Sequence, residues 1–79
     1  DPSVNRILFT FKRWDNNVGE WPLREFELQI LEKKFDRGIF VAPGGFQYSA
    51  KQYVEKSPIR LIGPDTLLQY LKEVEKKDL

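Results

Sequence analysis

Thr10-Phe11-Lys12-Arg13-Trp14 is the densest run of chemically capable side chains in this sequence. At the two-residue period of a strand, Thr10, Lys12 and Trp14 share one face close to a strand end. A lysine inside a strand is unusual, because an ammonium is rarely buried without a partner. One reading has Lys12 aimed at an anion, with Arg13 adding a donor fork and Trp14 a stacking plane, as in a contact to nucleic acid. The plainer reading puts Lys12 at the solvated strand end and has Trp14 covering core. Pattern alone leaves both open.

Pro43-Gly44-Gly45-Phe46, followed by Gln47, is the second place to look. Glycines between a strand and a helix let backbone N–H groups approach a phosphate at the helix N-terminus. The spacing matches neither the Walker A loop nor GxGxxG, and a strand-to-helix turn relieved by glycine accounts for it equally. Gly63-Pro64-Asp65-Thr66 reads as a helix start. Asp15, Glu20 and Glu25 near the end of the first strand could ligate a cation, or simply form a solvated face. Lys72, Glu73, Glu75, Lys76 and Lys77 alternate in sign as a solvated helix face does. The chain has no Cys and no His, so thiolate nucleophiles, imidazole bases, Ser-His-Asp triads and Cys- or His-ligated metals are excluded. Catalysis would rest on carboxylates, lysine or an oxygen-bound cation.

Alternating elements must position these groups. Val4 to Trp14 reads as a strand, with Ile7, Phe9 and Phe11 on one face and Leu8, Thr10, Lys12 and Trp14 on the other. Asp15-Asn16-Asn17 ends it. Pro22 suits the first turn of a helix whose apolar stripe is Leu23, Phe26, Ile30 and Leu31. Leu28 and Phe35 widen that stripe, as if the helix were covered on more than one side, and Gly38 suits the position after its end. Ile39 to Ala42 reads as a buried strand. Phe46, Ala50, Tyr53 and Val54 predict a helix over 46–56, ended by Ser57-Pro58. Ile59 to Ile62 is a third strand. Pro64 and Asp65 open a last helix, with Leu67, Leu68, Leu71 and Val74 as its buried stripe and Lys76 and Lys77 at its C-terminal dipole. The last residues are expected to fray. The order βαβαβα predicts a three-layer α/β fold around a small sheet of three adjacent parallel strands. In such sheets ligands bind outside the carboxyl ends of the strands, which here are Thr10 to Asn17, Pro43 to Tyr48 and Gly63 to Thr66.

The 79 residues make one domain, spanning 1–79. A chain this short buries only about 60–65% of its unfolded surface, so its core is thin. The net charge of +1 exerts no global pull on nucleic acid, so any such contact is a local patch. No apolar run approaches the roughly 20 residues of a membrane span, and no signal peptide is visible, so a cytoplasmic location with no membrane partner is expected. The chain starts at Asp1 and lacks Met, which points to a piece of a longer protein.

Taken in order, Ile7 to Trp14, Val18-Gly19, Gly38-Ile39-Phe40-Val41-Ala42-Pro43-Gly44-Gly45-Phe46, Ala50 and Ile59-Arg60-Leu61-Ile62-Gly63 before Leu67-Leu68 resemble the Mrr-like restriction endonuclease domain of the PD-(D/E)XK nuclease superfamily. The resemblance covers about residues 7 to 74. Its most specific parts are Lys-Arg-Trp after an apolar strand and the Gly-Ile-Phe-Val…Gly-Phe segment. It implies a restriction-endonuclease-like fold. It also places Lys12 on the lysine of the family's Gln/Glu-x-Lys strand, the group that orients the attacking water or stabilises charge on the phosphate. Thr10 falls on the metal-side position, where the family has Gln or Glu. The family's metal-binding Asp lies on an upstream strand, and Asp1 does not match that position.

The resemblance therefore implies a duplex-DNA-binding domain contacted through Lys12, Arg13, Trp14, Gly44, Gly45 and Gln47. Thr10 and Lys12 are its catalytic positions, no metal ligands are assigned, and hydrolysis by this chain is incomplete. Mg²⁺ would belong to a full-length protein, which itself could be an active endonuclease. Two other readings stand beside it. One is a degenerate nuclease fold serving as a protein-interaction or structural module, with a protein or the remaining upstream part of the domain as its partner, favoured by Trp14 and Trp21 as exposed aromatics. The other is a small regulatory domain binding a phosphate or nucleotide at Pro43 to Phe46.

Overall fold

The computed structural model describes residues 5–77. Strand β1 is Ile7–Phe11, helix α1 Glu20–Glu32, β2 Arg37–Val41, α2 Tyr48–Val54, β3 Ile59–Ile62 and α3 Pro64–Lys77. The three strands form one parallel sheet in the order β1-β2-β3. The α/β fold class and the adjacent parallel strands are those the alternation predicted. The proposed start of β1 at Val4 and the fraying of the last two residues fall outside the described residues.

Register sorts the strand residues onto two faces. Leu8, Gly38 and Ile59 lie in line on one face, followed by Thr10, Phe40 and Leu61. Ile7 and Arg37, then Phe9, Ile39 and Arg60, then Phe11, Val41 and Ile62 lie on the other. Helices α1 and α2 pack on each other and on the sheet, and the buried cluster joins Val18, Leu23, Phe26, Ile30, Phe40, Ala42, Ala50 and Ile59. The Phe40 ring takes edge contacts from Phe26, at 5.4 Å between centroids, and from Phe46, at 5.8 Å. Gly38 lets this happen: a Cβ there would lie 2.5 Å from Phe26 Cε2 and would also overlap Ile30 Cδ1. Phe9 and Phe11 on the other face are 64% and 56% exposed.

Several expectations are corrected. Gly38 is not the residue that stops α1; it lies within β2, beneath the helix. Lys34 takes the left-handed position instead, at φ 58°. Its N–H donates to the Leu31 carbonyl and the Phe35 N–H donates to the Ile30 carbonyl, the two bonds of a Schellman ending. Phe35 is thus the apolar residue just past the helix, packed on the core, rather than part of its stripe. Leu28 and Leu31 are exposed, so α1 is covered on one side only, by way of Leu23, Phe26 and Ile30. Pro22 sits in the first turn of α1, three residues after the cap Gly19, where its missing N–H has no intrahelical acceptor to lose.

Helix α2 is shorter than 46–56 because Phe46 is extended, bridging to Val18, and Gln47 is the N-cap. Beyond Val54, the Ser57 N–H and hydroxyl both donate to the Val54 carbonyl and end it. On α3, Leu68 and Leu71 are exposed and not buried, because the helix meets the sheet chiefly at β3. The side chains of Val74, Lys76 and Lys77 lie outside the described residues.

Candidate functional site

β1 ends at Phe11, but the Lys12 N–H still donates to the Val41 carbonyl, so the ladder carries the chain one residue further. Past it, the loop is tied down by Val18, which is 1% exposed. The Val18 N–H donates to the Gly45 carbonyl, and the Gln47 N–H donates to the Val18 carbonyl. The segment carrying Lys12, Arg13 and Trp14 is therefore anchored at both ends and fixed against the loop after β2.

The side chains of Thr10, Lys12 and Trp14 do share a face, as the period predicted. They line an open cavity of about 150 Å³ between the end of β1 and helix α1. Phe26 and Phe40 form its apolar floor, and Pro22, Glu25 and Gln29 complete the wall from α1. Lys12 is half-buried and its Nζ lies 5.6 Å from the centre of the Trp14 ring, a cation–π distance. Trp14 is 45% exposed, so it does not serve chiefly as a cover for core. Arg13 is exposed beside this cavity and is not among its lining residues.

The second group of candidates separates. Gly44 packs against the Lys12–Val18 loop: a Cβ there would lie 2.5 Å from the Trp14 carbonyl oxygen and 3.0 Å from that of Asn16. Gly45 closes a turn, donating from its N–H to the Ala42 carbonyl, and its φ of 91° suits glycine alone. These two glycines thus have a local structural explanation in the join between two loops. Gly45 also borders a cavity of about 390 Å³ with Phe46, Lys51, Leu61 and the start of α3. Gln47 is exposed on a different depression, with Gly19, Glu20, Trp21, Pro22, Arg24 and Ser49. The six DNA-contact candidates are therefore not one pocket. Thr10, Lys12 and Trp14 cluster, Gly44 buttresses them, and Gln47 stands apart.

The three candidate acids also separate. Glu20 and Glu25 are on α1 rather than in a loop. Glu20 pairs with Arg24 one turn along, and Arg24 in turn lies over the Trp21 and Tyr53 rings, at 5.7 and 5.2 Å. Asp15 is exposed in the loop. Only Glu25 of these three joins the wall opposite Lys12. Gln29 is a neighbour that sequence reasoning missed; its place four residues after Glu25 on an amphipathic helix was the available signal.

Elsewhere on the same helix, the Tyr53 hydroxyl donates to Glu27 and ties α1 to α2. That hydrogen bond, helped by burial and by the Glu27 charge, raises the Tyr53 pKa above its ordinary 10.0, with Arg24 opposing.

Nucleases of the kind the sequence resembles use a hard cation on oxygen ligands. Among the described residues, no three of His, Cys, Asp and Glu gather to hold one. The oxygen donors beside Lys12 are one carboxylate, Glu25, one hydroxyl, Thr10, and one amide, Gln29. This set falls short of the paired carboxylates of a strong Mg²⁺ site. No helix among the described residues is long and apolar enough to cross a membrane.

No curated protein and no solved structure matches this chain. A family model does: a βαβαβα chain with a parallel sheet and a lysine just past its first strand is matched over residues 1–71 by the restriction endonuclease model Mrr_cat, and the chain belongs to that family.

Proposed function

We propose that this domain binds duplex DNA through the end of β1, and that its own side chains do not complete the hydrolytic centre. Membership of a restriction endonuclease family makes DNA the general class of substrate. The observation that carries the reading is the clustering of Lys12, Thr10 and Trp14 at the carboxyl end of β1, beside an exposed Arg13. Two cations and an aromatic plane on a fixed loop suit phosphate and sugar contacts, which give low sequence specificity and steep salt dependence. The single carboxylate opposite Lys12 supports catalytic incompleteness, since hydrolysis of this type draws on a firmly held cation.

The test is an amide-shift titration with a short duplex at low and at physiological salt. Shifts centred on Thr10 to Trp14 and weakening steeply with salt are expected. Lys12→Ala should lower the salt slope by about one. Absence of shifts at low salt removes DNA from the account.

One observation favours a second reading. Phe9 and Phe11 are large, adjacent in alternation and more than half exposed, which suits a face that meets another protein surface. The phosphate-turn reading gains less support, because Gly44 packs against loop backbone and Gly45 is explained by its turn.

A further inference from the structure

The cavity of about 390 Å³ at the ends of β2 and β3 shares no lining residue with the one beside Lys12. It lies beyond the carboxyl ends of two parallel strands, where such sheets take ligands, and it has the size of a small-molecule site. Its apolar wall is the Phe46 ring and Leu61. Its polar groups are Lys51 from α2 and Asp65 and Thr66 from the first turn of α3. Gly63 keeps one side of the ring accessible: a Cβ there would lie 3.8 Å from Phe46 Cδ2, and a longer side chain would lie along the ring. The backbone does not ask for glycine at this position, since Gly45 alone of the described glycines has a positive φ. Among the described residues, no hydrogen bond or ion pair engages the side chains of Lys51, Asp65 or Thr66. A cation and a carboxylate thus face one open space without neutralising each other.

We infer that this cavity takes one unpaired guanine nucleotide, with its base on Phe46, its Watson–Crick edge at Asp65 and its phosphate at Lys51. An exposed aromatic plane stacks a base of any kind. The carboxylate makes the choice, because it only accepts and can take two hydrogen bonds side by side. Guanine alone offers two neighbouring N–H donors on that edge. Adenine and cytosine set an acceptor beside a donor, and thymine sets one donor between two acceptors. The Lys51 ammonium supplies a point charge for the phosphate, and the Thr66 hydroxyl donates or accepts as the base requires. A free nucleotide and an unpaired base at a nucleic-acid end share this chemistry. The site needs no contact at Lys12, so failure of a blunt duplex to bind leaves it standing.

The test is an amide-shift titration of the 79-residue chain with the four 5′-mononucleotides, guanosine and inorganic phosphate. Guanosine monophosphate should move Phe46, Lys51 and Gly63 to Thr66, and should bind at least about fivefold more tightly than the other three, the discrimination of one good bidentate contact. Asp65→Asn should abolish that preference. Lys51→Ala should weaken the nucleotide and leave guanosine unchanged. Both residues are exposed, so neither substitution opens the core. Equal affinity for the four nucleotides, a guanine preference that survives Asp65→Asn, or the same shifts from inorganic phosphate overturns the proposal. A duplex with one unpaired 3′ guanine then separates the sources. Added shifts at Phe46 and Asp65, relative to the blunt duplex, identify a DNA end as the occupant; their absence beside intact mononucleotide binding assigns the site to the free nucleotide.

Discussion

Phe40 on β2 is 1% exposed, while Phe9, on the neighbouring strand, is 64% exposed. Both are aromatic residues on strands of one small sheet, and they differ in which face they occupy. The order β1-β2-β3 makes both crossovers step the same way. Right-handed crossovers then put α1 and α2 on a common face. Thr10, Phe40 and Leu61 lie under them; Phe9, Phe11, Ile39 and Val41 lie on the reverse. The topology, rather than the hydrophobicity of any residue, decides which phenylalanine is core. It also decides where the site falls, because Lys12 follows Thr10 on the covered face and so meets α1.

The comparison is broken most directly at Phe40. Phe40→Ala removes the ring against which Phe26 and Phe46 pack edge-on, leaving a cavity beneath both helices. The expected loss is about 3–5 kcal/mol, enough to unfold much of a domain this thin. Urea denaturation followed by tryptophan fluorescence measures it. A loss below about 1 kcal/mol, the range of ordinary surface changes, would mean that the α1–α2 face is not what holds the fold.

A smaller effect sharpens the covered side. The Tyr53 hydroxyl donates to Glu27 across the α1–α2 seam, and its pKa is raised above 10.0. A group whose folded pKa exceeds its unfolded value stabilises fully below the unfolded value. That contribution fades as pH climbs through the raised folded value, because the phenolate cannot donate. Stability should therefore fall on the alkaline side of pH 10 in the wild type. Tyr53→Phe should cost about 1 kcal/mol near neutrality and remove this part of the alkaline slope. Denaturant midpoints measured at neutral pH and across the alkaline range decide it; an unchanged slope in the variant would place the titration elsewhere.

The fold was largely legible because its punctuation is strong. Asp15-Asn16-Asn17, Pro58 and Gly63-Pro64 separate apolar runs too short for anything but strands from runs at helical spacing. What the pattern did not show was which side of each element meets a neighbour. Ile7, Phe9 and Phe11 form the more apolar face of β1, yet α1 covers the face with Leu8 and Thr10. Gly38 looked like a helix stop because glycine favours that position; its use here is to let Phe26 and Ile30 approach the sheet, and Lys34 accepted the left-handed turn. In the candidate site, Thr10, Lys12 and Trp14 were legible from period two alone. Glu25 was visible only as one acid among three. Its difference from Asp15 and Glu20 is a matter of which helix flank faces the strand end, and one-dimensional spacing does not carry that.

The smallest expected effect lies on the open face, and it separates a bare surface from a covered one. Phe9→Thr and Phe11→Thr keep β-branched or strand-compatible residues while removing two exposed rings. If the face is solvated in the isolated chain, each should change stability by no more than about 0.5 kcal/mol. The same urea denaturation used for Phe40→Ala reads it, so the two faces are compared on one scale. A loss above about 2 kcal/mol at Phe9 would show the ring buried in solution. A stability that also rose with protein concentration would identify the cover as a second copy of the chain. The residues at the Thr10 side of β1 provide the internal control. Their face is covered by α1 whatever happens on the reverse, so duplex shifts at Thr10 to Trp14 should be the same with and without Phe9 and Phe11. Loss of those shifts in the double variant would tie DNA binding to the open face and move the proposed interface away from Lys12.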